Sequence, residues 1–270
     1  MEIITPQNAP RQTATRAIRL VSANGASQRK ETAIQAECAL DVEINGAPLM
    51  RVICSASHVG EMVLGRLYTE GYISGTKDVK SITVNPEFTQ VSVVLEDDDE
   101  DLETIEGSVP TCTTTNTMVK IAPKYRETAP VVPIPWEDQW IIQLATTFAQ
   151  DSPNHKATFG SHSCYLAQGP KLLYCCEDLG RHNALDKVIG CALRDGVDLT
   201  QCILFSSGRV PVDMLTKAIR AGVPIMATKA VPTDISLQLA MDHNLTLICS
   251  AHPDSMAVFN EPAAPEASRE

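Results

Sequence analysis

Apolar and polar positions alternate along this chain in patterns that name its elements. A short apolar run, Leu172-Leu173-Tyr174-Cys175-Cys176, fits a strand over 171–176. Directly after it, Leu185, Val188, Ile189, Ala192 and Leu193 fall at i, i+3, i+4, i+7 and i+8, one face of a helix over 183–194. The same rhythm continues, with strands over 163–167, 201–205, 224–228 and 245–250. Helices are predicted over 211–221 and 233–243, the first with Pro211 at its start and Gly222 beyond its end. Such alternation predicts an α/β domain with helices packed on a largely parallel sheet.

Upstream the pattern is strand-rich. A strand over 32–44 runs into Asn45-Gly46, a hairpin turn, and returns over 48–54. A helix follows over 59–68, with Ser57 as its expected cap. Strands over 79–84 and 90–95 are separated by Asn85-Pro86. Trp140, Ile141, Leu144, Ala145 and Phe148 give a helical face within 136–150, after a connector stiffened by Pro130, Pro133 and Pro135. The expected organisation is a mobile arm over 1–30 with a strand near 17–22, a smaller strand-rich part over 31–128, a layered α/β domain over 129–260, and a disordered tail over 261–270. The acidic run 96–101 reads as a solvated loop, because like charges resist packing.

Composition narrows the function. The net charge of −11 argues against a partner that presents a phosphate backbone, so no nucleic acid is expected. No stretch of apolar residues is long enough to span a bilayer, and residues 1–20 hold no apolar signal core, so the expected location is cytoplasmic with no membrane partner. The nine cysteines lack a regular spacing and read as thiols, most of them buried.

Chemistry concentrates at strand-to-helix junctions. Glu177, Asp178, Arg181, His182 and Asn183 surround Gly180 where a strand gives way to a helix, the place at which open α/β sheets hold ligands. An ordinary turn with solvated charges is the simpler alternative. Ser206-Ser207-Gly208-Arg209 stands ahead of another helix, where backbone amides and a guanidinium suit an anion. Cys112 lies among Thr111, Thr113, Thr114 and Thr115, a polar setting that predicts an exposed thiol. His162, after Gly160-Ser161, is either structural or a phosphate ligand.

The stretch Glu177-Asp178-Leu179-Gly180-Arg181-His182-Asn183-Ala184-Leu185-Asp186-Lys187 resembles the signature of the FdhD/NarQ family of formate dehydrogenase accessory proteins. Ser206-Ser207-Gly208-Arg209, the segment 217–224 and Glu70-Gly71-Tyr72-Ile73 are similar to further family segments in the same order. The resemblance implies a cytidine-deaminase-like αβα layering in the C-terminal domain. It implies a sulfur carrier required for formate dehydrogenase activity, which moves persulfide sulfur from a cysteine desulfurase to the bis-molybdopterin guanine dinucleotide cofactor. That cofactor is cargo, with GDP as a mimic, and a homodimer is expected. Calling the carrier an enzyme is partly convention.

By resemblance, Cys112 takes the first cysteine of a C-G-x-C-G loop and carries the persulfide. Thr115 stands at the second cysteine, and Thr113 and Asn116 at the glycines. The cofactor site would comprise His162, the 177–183 turn, Ser207, Gly208 and Arg209. It would also take in the segment Ser250, Ala251, His252, Pro253, Asp254 and Ser255, where Asp254-Ser255 replaces a Gly-Arg pair. A chaperone that binds the cofactor without transferring sulfur is the alternative. A zinc deaminase is rejected and no metal is expected. His162-Ser163-Cys164 lacks the required glutamate, and adjacent Cys175-Cys176 does not make a C-x-x-C pair.

Overall fold

A computed structural model describes residues 1–96, 128–150 and 152–264, and the strand backbone at 104–105, 114–115 and 120–121. Cys112, most of the acidic run and the last residues of the tail lie outside the described residues.

The N-terminal part contains β1 (Glu2–Ile4), β2 (Thr13–Val21), β3 (Ser27–Gln35), β4 (Cys38–Ile44) and β5 (Ala47–Cys54), then α1 (Val59–Thr69). It continues with β6 (Val79–Val84), β7 (Gln90–Leu95), β8 (Thr104–Ile105), β9 (Thr114–Thr115) and β10 (Lys120–Ile121). One sheet has the order β1-β6-β7-β4-β5-β9, while β2–β3 and β8–β10 form separate ribbons. Alternate residues of β4 and β5 point inward: Leu40, Val42, Ile44 and Val52 pack with Val59, Met62, Val63 and Leu67 of α1. Asn45 and Gly46 both take positive φ, as the tight turn between these strands requires.

Three expectations are corrected here. Residues 1–30 hold more than the one strand expected near 17–22; β1 joins the main sheet and β2–β3 make a long hairpin. The expected strand over 32–44 is two strands, β3 and β4, in different sheets. Ser57 does not cap α1. His58 takes the cap position in the left-handed region, and the Ser57 hydroxyl instead accepts a hydrogen bond from Lys187.

The C-terminal part contains α2 (Asp138–Gln150), α3 (Pro153–Thr158), β11 (His162–Gln168), β12 (Lys171–Asp178), α4 (Arg181–Arg194), β13 (Ile203–Ser206) and α5 (Val212–Arg220). It ends with β14 (Ile225–Thr228), α6 (Asp234–Asp242), β15 (Thr246–His252) and β16 (Ser255–Asn260). The sheet order is β12-β11-β13-β14-β15-β16. Only β13, β14 and β15 run parallel; β11, β12 and β16 pair antiparallel, so the sheet is mixed rather than largely parallel. One face, with Cys164, Leu204, Met226 and Leu247, packs on α4 and α5. The other, with Tyr165, Phe205, Ile225 and Ile248, packs on Ile141, Leu144 and Phe148 of α2. Both faces are covered, which explains why these strands read as continuous apolar runs.

The two parts join through α1 and α4. A Cβ on Gly65 would sit 1.9 Å from the Asp186 carbonyl oxygen, and one on Gly190 would sit 1.8 Å from that of Glu61. The helices therefore cross backbone to backbone, and only glycine permits the approach. This contact brings the charged residues of α1 into the frame of the 177–187 motif.

Candidate functional site

The carboxyl edge of the C-terminal sheet gathers the candidate residues. Antiparallel β11 begins at that edge, so His162 lies opposite Asp178, the end of β12, and Cys164 lies opposite Ser206, the end of β13. The chain leaving β13 is held in place from both sides. Ser207 N–H donates to the Ser163 carbonyl at 2.9 Å, the Ser207 hydroxyl accepts from Ser163 N–H at 2.9 Å, and Thr228 Oγ1 donates to the Gly208 carbonyl at 2.7 Å. A Cβ on Gly208 would meet Arg181 Cβ and Cδ at 3.1 Å and His162 Nδ1 at 3.4 Å. His162 Nδ1 and Ser207 Oγ are 3.4 Å apart.

His162, Arg181, Ser207 and Gly208 thus form one cradle. Arg181 Nε is buried there without a hydrogen-bond partner, so a donor on a cationic group stands unspent. Burial lowers the pKa of His162, and Arg181 adds to the shift, so the ring is neutral at pH 7 and does not compete for an anion as a second cation. Arg209 is exposed at the rim. An oxyanion fits this donor set.

The other residues of the motif are turned inward and serve the frame. Glu177 accepts from the backbone N–H groups of Asn154 and His155 at 3.0 and 2.9 Å, which caps the short α3. Asp178 accepts from Ser55 N–H at 2.8 Å, Gly180 N–H at 2.9 Å and Asn183 Nδ2 at 2.9 Å, and pairs with Lys187 Nζ at 2.7 Å. Asn183 also donates to the Ile53 carbonyl and accepts from Arg66. His182 Nε2 sits 2.6 Å from Asp213 Oδ2 in the first turn of α5, and that hydrogen bond holds the Asp213 carboxyl below its usual range. The motif is therefore mostly a clamp between the two parts, and Arg181 is the member that faces the cradle.

The segment 250–255 is not a loop after a strand. β15 runs on to His252 and turns back into β16, because Ile248 and Cys249 find partners in Val258 and Ala257. Ser250 takes positive φ and its N–H donates to the Ala230 carbonyl at 2.8 Å. Ala251 is buried, while His252, Pro253, Asp254 and Ser255 are exposed at the hairpin tip.

Sequence reasoning missed Arg66, Asp186 and Lys217. Arg66 Nε donates to Asp186 Oδ2 at 2.9 Å, and Lys217 Nζ reaches both Asp186 oxygens at 2.9 and 3.0 Å. Burial alone would push Asp186 up, but Lys217 and Arg66 outweigh it and hold the carboxyl below its usual range. The available signal was charge on otherwise apolar helix faces, since such residues are buried only when paired. Close by, β9 pairs its Thr115 with Arg51 and its Thr114 with Val52 of β5, the strand that ends at Cys54 beside Ser55. A cavity of about 540 Å³ between Tyr68, Ile73, Val131 and Ile219 includes none of the cradle residues in its lining.

The sequence pattern that defines the FdhD/NarQ family matches residues 35–265. The chain belongs to that family. Among its relatives, the sulfur carrier protein FdhD of Bacillus subtilis is 28% identical over 256 residues, covering 88% of this chain and 92% of that protein. The sulfur carrier protein FdhD of Listeria monocytogenes is 24% identical over 261 residues, covering 87% and 92%. A solved structure from Desulfotalea psychrophila, described as a candidate formate dehydrogenase accessory protein, superposes with a TM-score of 0.76 at 23% identity over 93% of this chain and 98% of that one. The family's layered α/β fold, expected from the 177–187 motif, is the fold observed. Among the described residues, no helix is long and apolar enough to cross a membrane.

Proposed function

We propose that this protein is a sulfur carrier serving a formate dehydrogenase, with Cys112 as the carrier thiol and the bis-molybdopterin guanine dinucleotide cofactor as its cargo. In this reading the Cys112 thiolate attacks the terminal sulfur of a persulfide on a cysteine desulfurase. The new bond is Sγ–S on Cys112, the old S–S bond breaks, and the donor cysteine leaves as thiolate, so no external oxidant is needed. The terminal sulfur is then available to an acceptor held at the sheet edge.

The observation that carries the reading is the unspent Arg181 Nε beside His162, Ser207 and Gly208, at the family's own motif. A pyrophosphate of the cargo suits it: a guanidinium donates charge-assisted hydrogen bonds to phosphate oxygens. The relatives named as sulfur carriers support the sulfur chemistry. Thr115, where the family has its second loop cysteine, favours the chaperone as the competing reading.

Mass spectrometry separates the two. Incubation with a desulfurase and cysteine should add one reducible sulfur at Cys112, and Cys112→Ser should remove it. A wild-type protein that binds cofactor but takes up no sulfane sulfur is the chaperone. A label that maps to another cysteine overturns the assignment of Cys112.

A further inference from the structure

Away from the cradle, a second group of ligating side chains converges where the two parts meet. His58 precedes α1, Cys176 lies near the end of β12 and Cys191 lies in the last turn of α4. Their ligand atoms all lie within 4.8 Å of one another. Around a tetrahedral zinc ion, with Zn–S near 2.3 Å and Zn–N near 2.0 Å, ligand atoms stand roughly 3.5–4 Å apart. Rotamer adjustments of about an ångström close the difference.

Three further features point the same way. His58 occupies an N-cap position, where Ser, Thr, Asp or Asn would ordinarily cap, yet its side chain makes no capping bond. Its backbone sits at φ 50°, a left-handed conformation unfavourable for a residue with a Cβ. Such conformations cluster at functional sites. Next, Cys176 and Cys191 are only 3% and 2% exposed, so both thiols are turned away from solvent and toward His58. Last, a cavity of about 240 Å³, lined by Ser57, His58, Cys175, Cys176 and Glu177 among others, gives solvent a way in.

We propose that His58, Cys176 and Cys191 form a binding site for a thiophilic d10 cation, Zn²⁺, whose fourth position opens to this cavity. The set is soft and small, which suits zinc rather than calcium or magnesium. Binding releases the two thiol protons to solvent and leaves a neutral Zn(S⁻)₂N unit, the charge state that can be buried among apolar side chains. The ion ties the start of α1 to β12 and α4, so it locks the N-terminal part onto the C-terminal sheet. The site is independent of the sulfur-carrier reading.

The test titrates the reduced full-length protein, in a Cys112→Ser, Cys38→Ser, Cys175→Ser background, with Co²⁺ and then Zn²⁺. One equivalent of Co²⁺ should give a near-ultraviolet thiolate-to-cobalt band that Zn²⁺ bleaches, with about two protons released per zinc. Cys176→Ser and Cys191→Ser should each weaken Zn²⁺ binding by at least about 100-fold, beyond the loss typical of outer-shell partners. His58→Gly guards against misfolding, because glycine relieves the left-handed backbone. Its melting temperature without metal should equal or exceed that of the parent, while the zinc-induced rise is lost. Absence of any cobalt band in the parent overturns the site. So does zinc binding that survives in His58→Gly and Cys176→Ser alike.

Discussion

Arg66 of α1 and Asp186 of α4 meet at 2.9 Å with side chains 2% and 0% exposed, and Lys217 of α5 closes on the same carboxylate at 2.9 Å. One acid thus serves two buried cations contributed by the two halves of the molecule. Were the halves to part, Lys217 would keep Asp186, but Arg66 would lose its nearest carboxylate and retain only Glu70 at 3.6 Å.

Asp186→Asn should be strongly destabilising. The amide keeps the shape but leaves the buried Arg66 and Lys217 with only the partly exposed Glu70 as anion, a loss of about 3 kcal/mol for a broken buried pair. Urea denaturation checks this; a change below about 1 kcal/mol would show that water reaches the cluster.

The same acid gives the protein an acid limb. Its folded-state pKa lies below the ordinary 3.8, so its contribution is full above that value and is lost as pH falls from 3.8 through the folded-state value. Stability measured from pH 5 to pH 2 should fall more steeply in the wild type than in Asp186→Asn. Parallel curves would assign the acid limb to other carboxylates.

Gly190→Ala should reverse the usual helix preference. Alanine normally gains up to about 1 kcal/mol over glycine inside a helix. Here the new Cβ lies 1.8 Å from the Glu61 carbonyl oxygen, and backbone must move. The expected result is a loss of about 3 kcal/mol or more, at the upper end of overpacking effects. Thermal melts of Gly190→Ala beside a control in open space and extended backbone, Gly75→Ala, measure it.

Arg181→Ala should weaken GDP binding by about 1.5–3 kcal/mol, the worth of a hydrogen bond to a charged group. Arg209→Ala, at the exposed rim, should cost less, because water screens its charge. Calorimetry at fixed ionic strength compares them. If Arg209 dominates, the phosphates sit outside the cradle.

Cys38 should titrate near neutrality. A hydrogen bond from Cys54 lowers its pKa to about 7, against burial and with help from Lys187. Alkylation of Cys38 should therefore rise through a midpoint near pH 7, and Cys54→Ala should move that midpoint upward. A midpoint above pH 8 in the wild type would show that the neighbouring Asp178 wins.

Much of the fold was legible because its signals are local. β6 and β7 fall on the residues that alternation predicts, and α4 differs only by starting at Arg181, two residues before the predicted start. The misses have non-local causes. β1 is short and gains its place only by pairing with β6, and α3 has its N-terminus satisfied by Glu177, more than twenty residues downstream. The site divides in the same way. Its motif could be read, but not which members face outward. Asp178 and Asn183 are consumed by Ser55, Ile53 and Arg66, residues 123, 130 and 117 positions away. The His58, Cys176 and Cys191 group has no sequence spacing to announce it, because its members sit on three elements.

The glycine crossing of α1 on α4 has a mechanical consequence. Between most packed elements a layer of side chains acts as a bearing, and rotamer changes let one surface slide over the other. At Gly65 and Gly190 that layer is missing, and any rotation drives a carbonyl into a Cα. The halves then behave as a single casting, without jaws that close on a guest. On the proposed reading, accommodation of the cargo falls to exposed side chains such as Arg209, while the cradle keeps one fixed gauge.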